Sequence, residues 1–451
     1  MEKSDLTILP WVGGGAVSCR LRAVSFYNET VILRVPYGND SVTADLRGLR
    51  CQVLQPTAPK GAADVNALIG AALDAPTGCA PLAEISRGRR RAVVLVPDAT
   101  RRAALPIVLP AVLARLARGG VPAEAVTVLV ACGTHPPASP ESLGALLGPL
   151  PAGVRVLQHD SRDESALVHA GTLPTGLAIR LQREAVDADL LIAVSALAHH
   201  YFAGFTGGPK MVFPGVAGYA EIQANHARVI DLSASPPRRH PGCEPGVFEG
   251  NPVAEEIAHA AALRPPDLAL LLVHGSDSRP AWAAAGPLPA VFPAGVQRVR
   301  DWYEVVAGPF SRIVAGAGGF PSDQTIIQAH KALDAACRFA APGAEVLFLA
   351  ACDGGPGSAE MAPFLADPRP HAIIARLAER YVQYGHTTLR LVEKTARFRV
   401  LWQTHLDDEI VARLGAVPAR SAQHTLDRWR EEAPGDVIGV MPGAAVYRRA
   451  C

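Results

Sequence analysis

Long apolar runs are missing from this 451-residue chain. No stretch of about 18 apolar residues is present to span a membrane. Cysteine is sparse and scattered, at 19, 51, 79, 132, 243, 337, 352 and 451, with no C-x-x-C pair. That spacing argues against both a zinc ribbon and a disulfide framework. An excess of one charge is also missing: 43 Lys plus Arg nearly cancel 42 Asp plus Glu. No global basic field therefore draws nucleic acid or an anionic membrane. The opening residues Met1-Glu2-Lys3-Ser4-Asp5-Leu6-Thr7 lack the charged and apolar regions of a secretory signal, so a reducing, cytoplasmic setting is expected. Internal repeats and coiled-coil heptads are absent as well.

Turn formers are plentiful, with 41 glycines and 39 prolines. Hydrophobic residues at 49% and charged residues at 19% describe a globular protein long enough for two domains, each with its own core. Short apolar runs alternate with helical patterns, which predicts an α/β fold. Ala92–Pro97 reads as a buried parallel strand, followed by a helix from about Pro106 to Arg118 that Gly119-Gly120 ends. Val126–Ala131 reads as the next strand. Further strands are predicted at 154–157, 190–194, 268–273, 312–315, 345–349 and 437–440. The segments 233–252 and 280–295 read as loops, since proline and glycine interrupt regular structure there. The second is the expected junction between an N-terminal domain, 1–295, and a C-terminal one, 296–451, with mixed or parallel sheets and a site in the cleft between them.

Several of these strands end in polar residues: Asp98, His135, His159-Asp160 and His199-His200. In open α/β sheets ligands bind outside the carboxyl ends of strands. The richest such end runs His199-His200-Tyr-Phe-Ala-Gly-Phe-Thr206-Gly207-Gly208-Pro-Lys210 and on to Asn225-His226. Glycines let a backbone approach a bound group closely. A lysine held against apolar neighbours can lose its charge and act as a nucleophile, and histidine moves protons or binds metals. The segment fails as a P-loop: Pro209 removes a cradle N–H, and Met211 stands where a magnesium-binding hydroxyl is required. Gly316-Ala-Gly-Gly-Phe-Pro321 fails as a dinucleotide fingerprint because proline replaces its third glycine; it reads as a helix start with proline in the first turn.

Other polar groups carry two readings each. Asp98-Ala-Thr-Arg101 fits either a ribose or phosphate site, with Arg101 gripping an oxyanion, or a capped turn. His135, in Cys132-Gly-Thr-His-Pro-Pro, is a base or part of a rigid turn. Gln328 and Lys331 share a helix face by their i, i+3 spacing, as binding or as solvated residues. His159, Asp160 and His330 read as structural or supporting groups.

Together the pieces Asp98-x-x-Arg101, Gly133-Thr-His135-Pro, His200 to Lys210, Asn225-His226 and Gln328-x-x-Lys331, in that order, resemble the LarA-type lactate racemase family. The similarity runs from about residue 15 to 445, and the His-x9-Lys-x15-His spacing around Gly-Gly-Pro-Lys is its most specific element. The resemblance implies an isomerase that inverts the C2 centre of a 2-hydroxy acid. It also implies a nickel-pincer nucleotide, the nickel complex of pyridinium-3-thioamide-5-thiocarboxylic acid mononucleotide, attached covalently at Lys210 and supplied by cofactor-synthesis enzymes. His226 would bind the nickel beside soft sulfur donors, a set that suits Ni(II). Asp98, Thr206, Gly207 and Gly208 would hold the nucleotide. His135 and His200 would be the acid/base pair, and Arg101, Gln328 and Lys331 would bind substrate.

The implied chemistry has a clear rationale. The C2–H of a 2-hydroxy acid is weakly acidic, so reversible hydride removal replaces proton abstraction there, and each face needs a base for the hydroxyl proton. Ile327 stands where an aromatic hydroxyl is expected in lactate-specific members, so a larger 2-hydroxy acid, a sugar or an aldonic acid is an alternative substrate. A non-catalytic cofactor carrier would need neither His135 nor His200.

Overall fold

Strand residues with no polar face build the first sheet, because both of its faces are covered. Ala92–Pro97 is buried at every position and pairs in parallel with Val126–Ala131 on one side and Leu190–Ala196 on the other. Arg155–Gln158 extends one edge, while Leu268–His274 and then the antiparallel strand Pro280–Gly286 extend the other. The helix Leu105–Arg118 buries Leu105, Val108, Leu109, Val112, Leu113 and Leu116, an apolar stripe at helical spacing, and ends at Gly119, with Gly120 at φ +89°. The computed structural model describes residues 26–27, 32–443 and 446–449; Cys19, Cys451 and the opening residues read for a signal lie outside them.

A second, mainly parallel sheet has the order Phe26–Tyr27, Arg50–Val53, Val437–Met441, Phe310–Gly316, Ala340–Leu349, Arg399–Gln403 and Val417–Pro418. Each strand expected from the sequence is present, some a few residues longer. Arg50–Val53 pairs with the strand at 437–441, so the second unit takes strands from before the first as well as after it. The expected boundary at 295 falls inside a helix, Leu288–Tyr303, that packs on the first sheet. One apolar cluster joins the units, running from Leu95 and Phe213 to Ile313, Phe348 and Leu389.

Two expectations need correction. The segment 280–295 is an edge strand followed by a helix. Proline is tolerated at the first residue of an edge strand, as Pro280 is, and in a helix's first turn, as Pro289 is. Pro321 does not open a helix: Gly318 and Gly319 take φ of +100° and +70°, and the helix starts only at Ile326. Among the described residues no helix is long and apolar enough to cross a membrane.

Candidate functional site

The first sheet changes direction between Ala92–Pro97 and Leu190–Ala196: later strands add outward on both sides of that pair. Loops leaving the carboxyl ends of such a pair diverge and open a crevice. The loop after Pro97 carries Asp98 and Arg101, and the loop after the neighbouring strand carries His135. His135 Nδ1 lies 2.5 Å from Asp98 Oδ2, and Thr100 donates to Asp98 Oδ1 through its hydroxyl, at 2.6 Å, and its backbone N–H, at 3.0 Å. Burial alone would raise the Asp98 carboxyl; its bonds to His135 and Thr100 outweigh that and hold it below the usual range. Both carboxylate oxygens, expected on the nucleotide, are thus engaged within the protein. Among the described residues Arg101 reaches only the Thr100 carbonyl and hydroxyl, leaving most of its guanidinium without a partner there.

The loop after Ala196 makes a short hairpin, in which His199–His200 pairs with Gly204–Phe205 across a three-residue turn. Gly204 sits at φ +70°, and a Cβ there would come within 2.3 Å of the Val247 carbonyl oxygen, so glycine is required. Thr206 then anchors the turn back to the strand: its hydroxyl accepts from Ala198 N–H at 2.9 Å and donates to Ala196 O at 3.2 Å. Gly208 N–H donates to Ser195 Oγ at 2.9 Å. These groups, expected to touch a nucleotide, also shape the turn that presents Lys210. Lys210 Nζ lies 5.7 Å from the centre of the Phe202 ring, and among the described residues it has no carboxylate partner. Burial, reinforced by Arg101, pushes its amine down to about 7.

His226 lies on the helix Tyr219–Ala227, 6% exposed, with its ring 5.1 Å from Phe202. Nδ1 faces Asn225 Oδ1 at 3.2 Å, and Asn225 is itself fixed to Glu256 and the Val253 carbonyl. That leaves Nε2 as the free ring nitrogen. Burial, then Lys210 and His135, push this imidazole down to about 3, so it is neutral, the form that ligates metals.

The two adjacent histidines part company. His199 Nε2 bonds Glu304 at 3.0 Å and its ring lies against Tyr447 at 4.2 Å. His200 accepts from Ala203 N–H through Nδ1 at 3.2 Å, which leaves Nε2 free. Burial, then the charges of Lys210, Arg101, Lys331 and His226, hold His200 well below its ordinary value.

The second unit closes the site with the helix Ile326–Cys337. Lys331 Nζ donates to Gln328 Oε1 at 2.6 Å, and burial with Arg101 pushes Lys331 down to about 7. A cavity of about 320 Å³ is lined by Arg101, His200, Tyr201, Thr206 and Lys331 among others. Arg101 lies close enough to Lys210 and Lys331 to lower both amines, and among the described residues neither lysine has a carboxylate partner. The chemistry favours an anion.

Sequence reasoning did not find Tyr201, Tyr381, Gln383 or His386. Gln383 accepts from the Thr134 hydroxyl at 3.0 Å, tying the His135 loop to the second unit. Tyr201 lines the cavity, and His386 packs on Tyr201 and Phe202. The signal was faint: the helix Gln383–Arg397 is buried throughout 385–392, and its polar residues His386, Thr387, Thr388 and Arg390 read as solvent-exposed in sequence. His159 is structural, bonded to Ala217 O at 2.9 Å.

Among the described residues no group of three or more His, Cys, Asp or Glu is placed to hold a metal ion. A metal at His226 therefore requires donors from outside the protein. The unpaired, partly neutral amine of Lys210 and the free Nε2 of neutral His226 fit a cofactor that brings its own donors and is fastened to an amine.

Comparison with known proteins gives a consistent picture. The family model described as the lactate racemase N-terminal domain matches residues 37–235. The lactate racemase of Thermoanaerobacterium thermosaccharolyticum is 30% identical over 334 residues, 72% of this chain and 75% of that protein. That of Lactiplantibacillus plantarum is 31% identical over 296 residues, 65% of this chain and 68% of that protein. The solved structure of the T. thermosaccharolyticum lactate racemase apoprotein superposes with a TM-score of 0.82 at 26% identity, covering 93% of this chain and all of that one. A Thermotoga maritima protein shares the fold at TM-score 0.58 and 16% identity, over 82% of this chain and 97% of that one.

Proposed function

The chain belongs to the LarA-type lactate racemase family of isomerases, and from that premise we propose that it inverts the C2 centre of a 2-hydroxy acid with a covalently held nickel-pincer nucleotide. The observation that carries this reading is the half-buried Lys210 amine near Phe202, lowered in pKa, without a carboxylate partner among the described residues and close to neutral His226. Structural support for a purely ionic role is lacking, since an ammonium there would be desolvated and unpaired.

When bound, the cofactor supplies a reversible hydride acceptor. The protein's own groups do the rest. Lys210 would hold the cofactor through its amine, and His226 would offer Nε2 to the nickel. Arg101 and Lys331 hold the substrate carboxylate, with Gln328 orienting the Lys331 amine. His135 and His200 each take or return the hydroxyl proton, one on each face of C2. Asp98 fixes the His135 ring and stabilises it when it gains a proton, because their 2.5 Å contact strengthens as charge develops. Burial keeps His200 neutral and ready to accept. Retention of both bases favours catalysis over a carrier role.

Protein produced together with cofactor-synthesis enzymes tests this directly. Peptide mass spectrometry is expected to find an adduct on Lys210, with about one nickel per chain. An unmodified Lys210 with no nickel sinks the reading. Turnover of a chiral 2-hydroxy acid in D2O should leave C2 unlabelled, because hydride, unlike an abstracted proton, returns without exchange.

A further inference from the structure

The two histidines assigned as bases are furnished differently. His135 has Asp98 at 2.5 Å, so a carboxylate is at hand when its ring gains a proton. His200 has no carboxylate partner among the described residues. Its Nδ1 accepts from Ala203 N–H at 3.2 Å, and the charges that act on it, from Lys210, Arg101, Lys331 and His226, all oppose a proton. Only 9% of the residue is exposed, so bulk water solvates an imidazolium there poorly. A base so placed needs another source of stabilisation for its protonated form.

The adjacent Tyr201 ring supplies one. It lies near-parallel to the His200 ring, with centres 5.1 Å apart and planes 26° apart, and both residues line the cavity. Phe202 stands at 75° to His200 with centres 4.7 Å apart, so Tyr201 is the ring that the imidazole lies flat against. A cation within about 6 Å of an aromatic centre is attracted by the negative face of the ring, more strongly where water is excluded. Tyr201 is in turn fixed from the second unit. Its hydroxyl lies 3.4 Å from Thr387 Oγ1, on the helix Gln383–Arg397, and His330 meets its ring edge-on at 5.1 Å. Burial raises the phenol, so it stays protonated. With the hydroxyl turned to Thr387, the ring is what Tyr201 offers His200. Arg390 lies 5.9 Å from the same ring centre, but its charge is answered by Asp334 and Glu244.

We propose that Tyr201 is a positioning residue for the inversion, holding an aromatic face against His200 so that this base carries the hydroxyl proton without a carboxylate; this rests on the reading of His200 as one of two bases. The proton leaving the substrate hydroxyl goes to Nε2, the free ring nitrogen, and the positive charge it brings spreads over the imidazole that faces Tyr201.

Two measurements test this. In the unloaded protein, the NMR signal of the His200 ring C–H should lie upfield in wild type and in Tyr201→Phe relative to Tyr201→Leu, as stacking on an aromatic face requires. Enzyme with a confirmed Lys210 adduct and nickel is then followed in single-turnover oxidation of each enantiomer of lactate, or of glycerate where lactate does not react. His200→Asn identifies the enantiomer whose proton goes to His200. Tyr201→Leu should slow oxidation of that enantiomer by roughly five- to thirtyfold, the worth of a desolvated ring–cation contact, and leave the enantiomer served by His135 close to wild type. Tyr201→Phe, which keeps the ring, should recover most of the loss. Phenylalanines of increasing fluorination at position 201 keep the shape and drain the π-face, so the rate should fall stepwise along that series, which decides even where Tyr201→Leu does not fold. Equal slowing of both enantiomers overturns the proposal, as does a loss in Tyr201→Phe as large as in Tyr201→Leu. A flat fluorination series or an NMR signal unmoved by Tyr201→Leu also overturns it. Loss of face selectivity in His200→Asn defeats the base reading and the proposal with it, whereas a selective His200→Asn beside an inert Tyr201→Leu defeats the proposal alone.

Discussion

Asp98 Oδ2 and His135 Nδ1 meet at 2.5 Å, from loops that leave the carboxyl ends of two neighbouring parallel strands. The pairing points to a role for Asp98 in orienting the imidazole, beside the expected nucleotide contact. Asp98→Asn keeps the shape but removes the charge that orients and stabilises the imidazole. We expect turnover per loaded site to fall by about 10²–10⁴-fold, the usual worth of a positioned base, while the Lys210 adduct measured by mass spectrometry persists. Loss of the adduct with unchanged turnover per loaded chain would instead place Asp98 on the nucleotide.

Lys210 carries a pH signature. Its amine is lowered from 10.5 to about 7, so folding releases a proton between those values. The unfolded chain binds more protons there, and stability of the unloaded protein from this group rises with pH across that window. Below about pH 7 the fold holds a buried ammonium. Lys210→Met should therefore raise the thermal midpoint of the unloaded protein most at pH 6, by the equivalent of a few kcal/mol, with the gain shrinking toward pH 10. The same variant is expected to carry no cofactor adduct. Calorimetric scans at the two pH values check the sign.

Much of this was legible in the chain. Buried parallel strands are apolar runs, so Ala92–Pro97, Val126–Ala131 and Leu268–His274 announced themselves, and polar residues at their ends marked the site. The less legible parts depend on contacts distant in sequence. Nothing local to Arg50–Val53 says that it pairs with a strand nearly four hundred residues later. His386 sits in a helix stretch, 385–392, that is buried on every side and mixes polar with apolar residues, so no stripe marks it. Thr206 and Gly208 were recognisable as important, but only the coordinates show their hydrogen bonds turning inward to Ala196 and Ser195.

That inward bonding makes the lysine turn sensitive to a single methyl group. Gly208 has φ +56°, and a Cβ there would lie 2.4 Å from Phe292 Cδ2. Gly208→Ala must both strain the backbone and displace an aromatic ring, costing on the order of 1–3 kcal/mol. The expected result is a folded protein by circular dichroism with a lower midpoint and at least severalfold less Lys210 adduct. Full loading at wild-type stability would show that the turn is less constrained than its contacts indicate.

The two units are also joined by buried charges. Arg390, with no side-chain exposure, bonds Asp334 at 2.6 Å and Glu244 at 3.0 Å, the latter on a loop of the first unit. Arg390→Met would strand carboxylates in the interior, a loss of about 3–5 kcal/mol. Its urea midpoint should fall accordingly. Asp334→Asn added to Arg390→Met should recover part of the loss, because the uncompensated charge is then gone. A midpoint unmoved by Arg390→Met would mean that Lys394 and Arg338, which also pair with Asp334, suffice.

His199 and His200, one residue apart, should give opposite phenotypes. His199 is committed to Glu304 and packed against Tyr447, so His199→Asn removes a structural bond. Its midpoint should drop by about 1–2 kcal/mol equivalent, with turnover per loaded site within roughly threefold of wild type. His200 keeps Nε2 free beside Arg101 and Lys331, in the cavity where substrate would lie. His200→Asn should retain the Lys210 adduct and lose about 10²–10⁴-fold in turnover. If His200 serves one face of C2 and His135 the other, each single variant stops inversion in both directions, because every round trip uses both bases. Single-turnover experiments then divide them: with each variant, one enantiomer should still be oxidised to the keto acid and the other should not. Equal oxidation of both enantiomers by His200→Asn would place the base elsewhere.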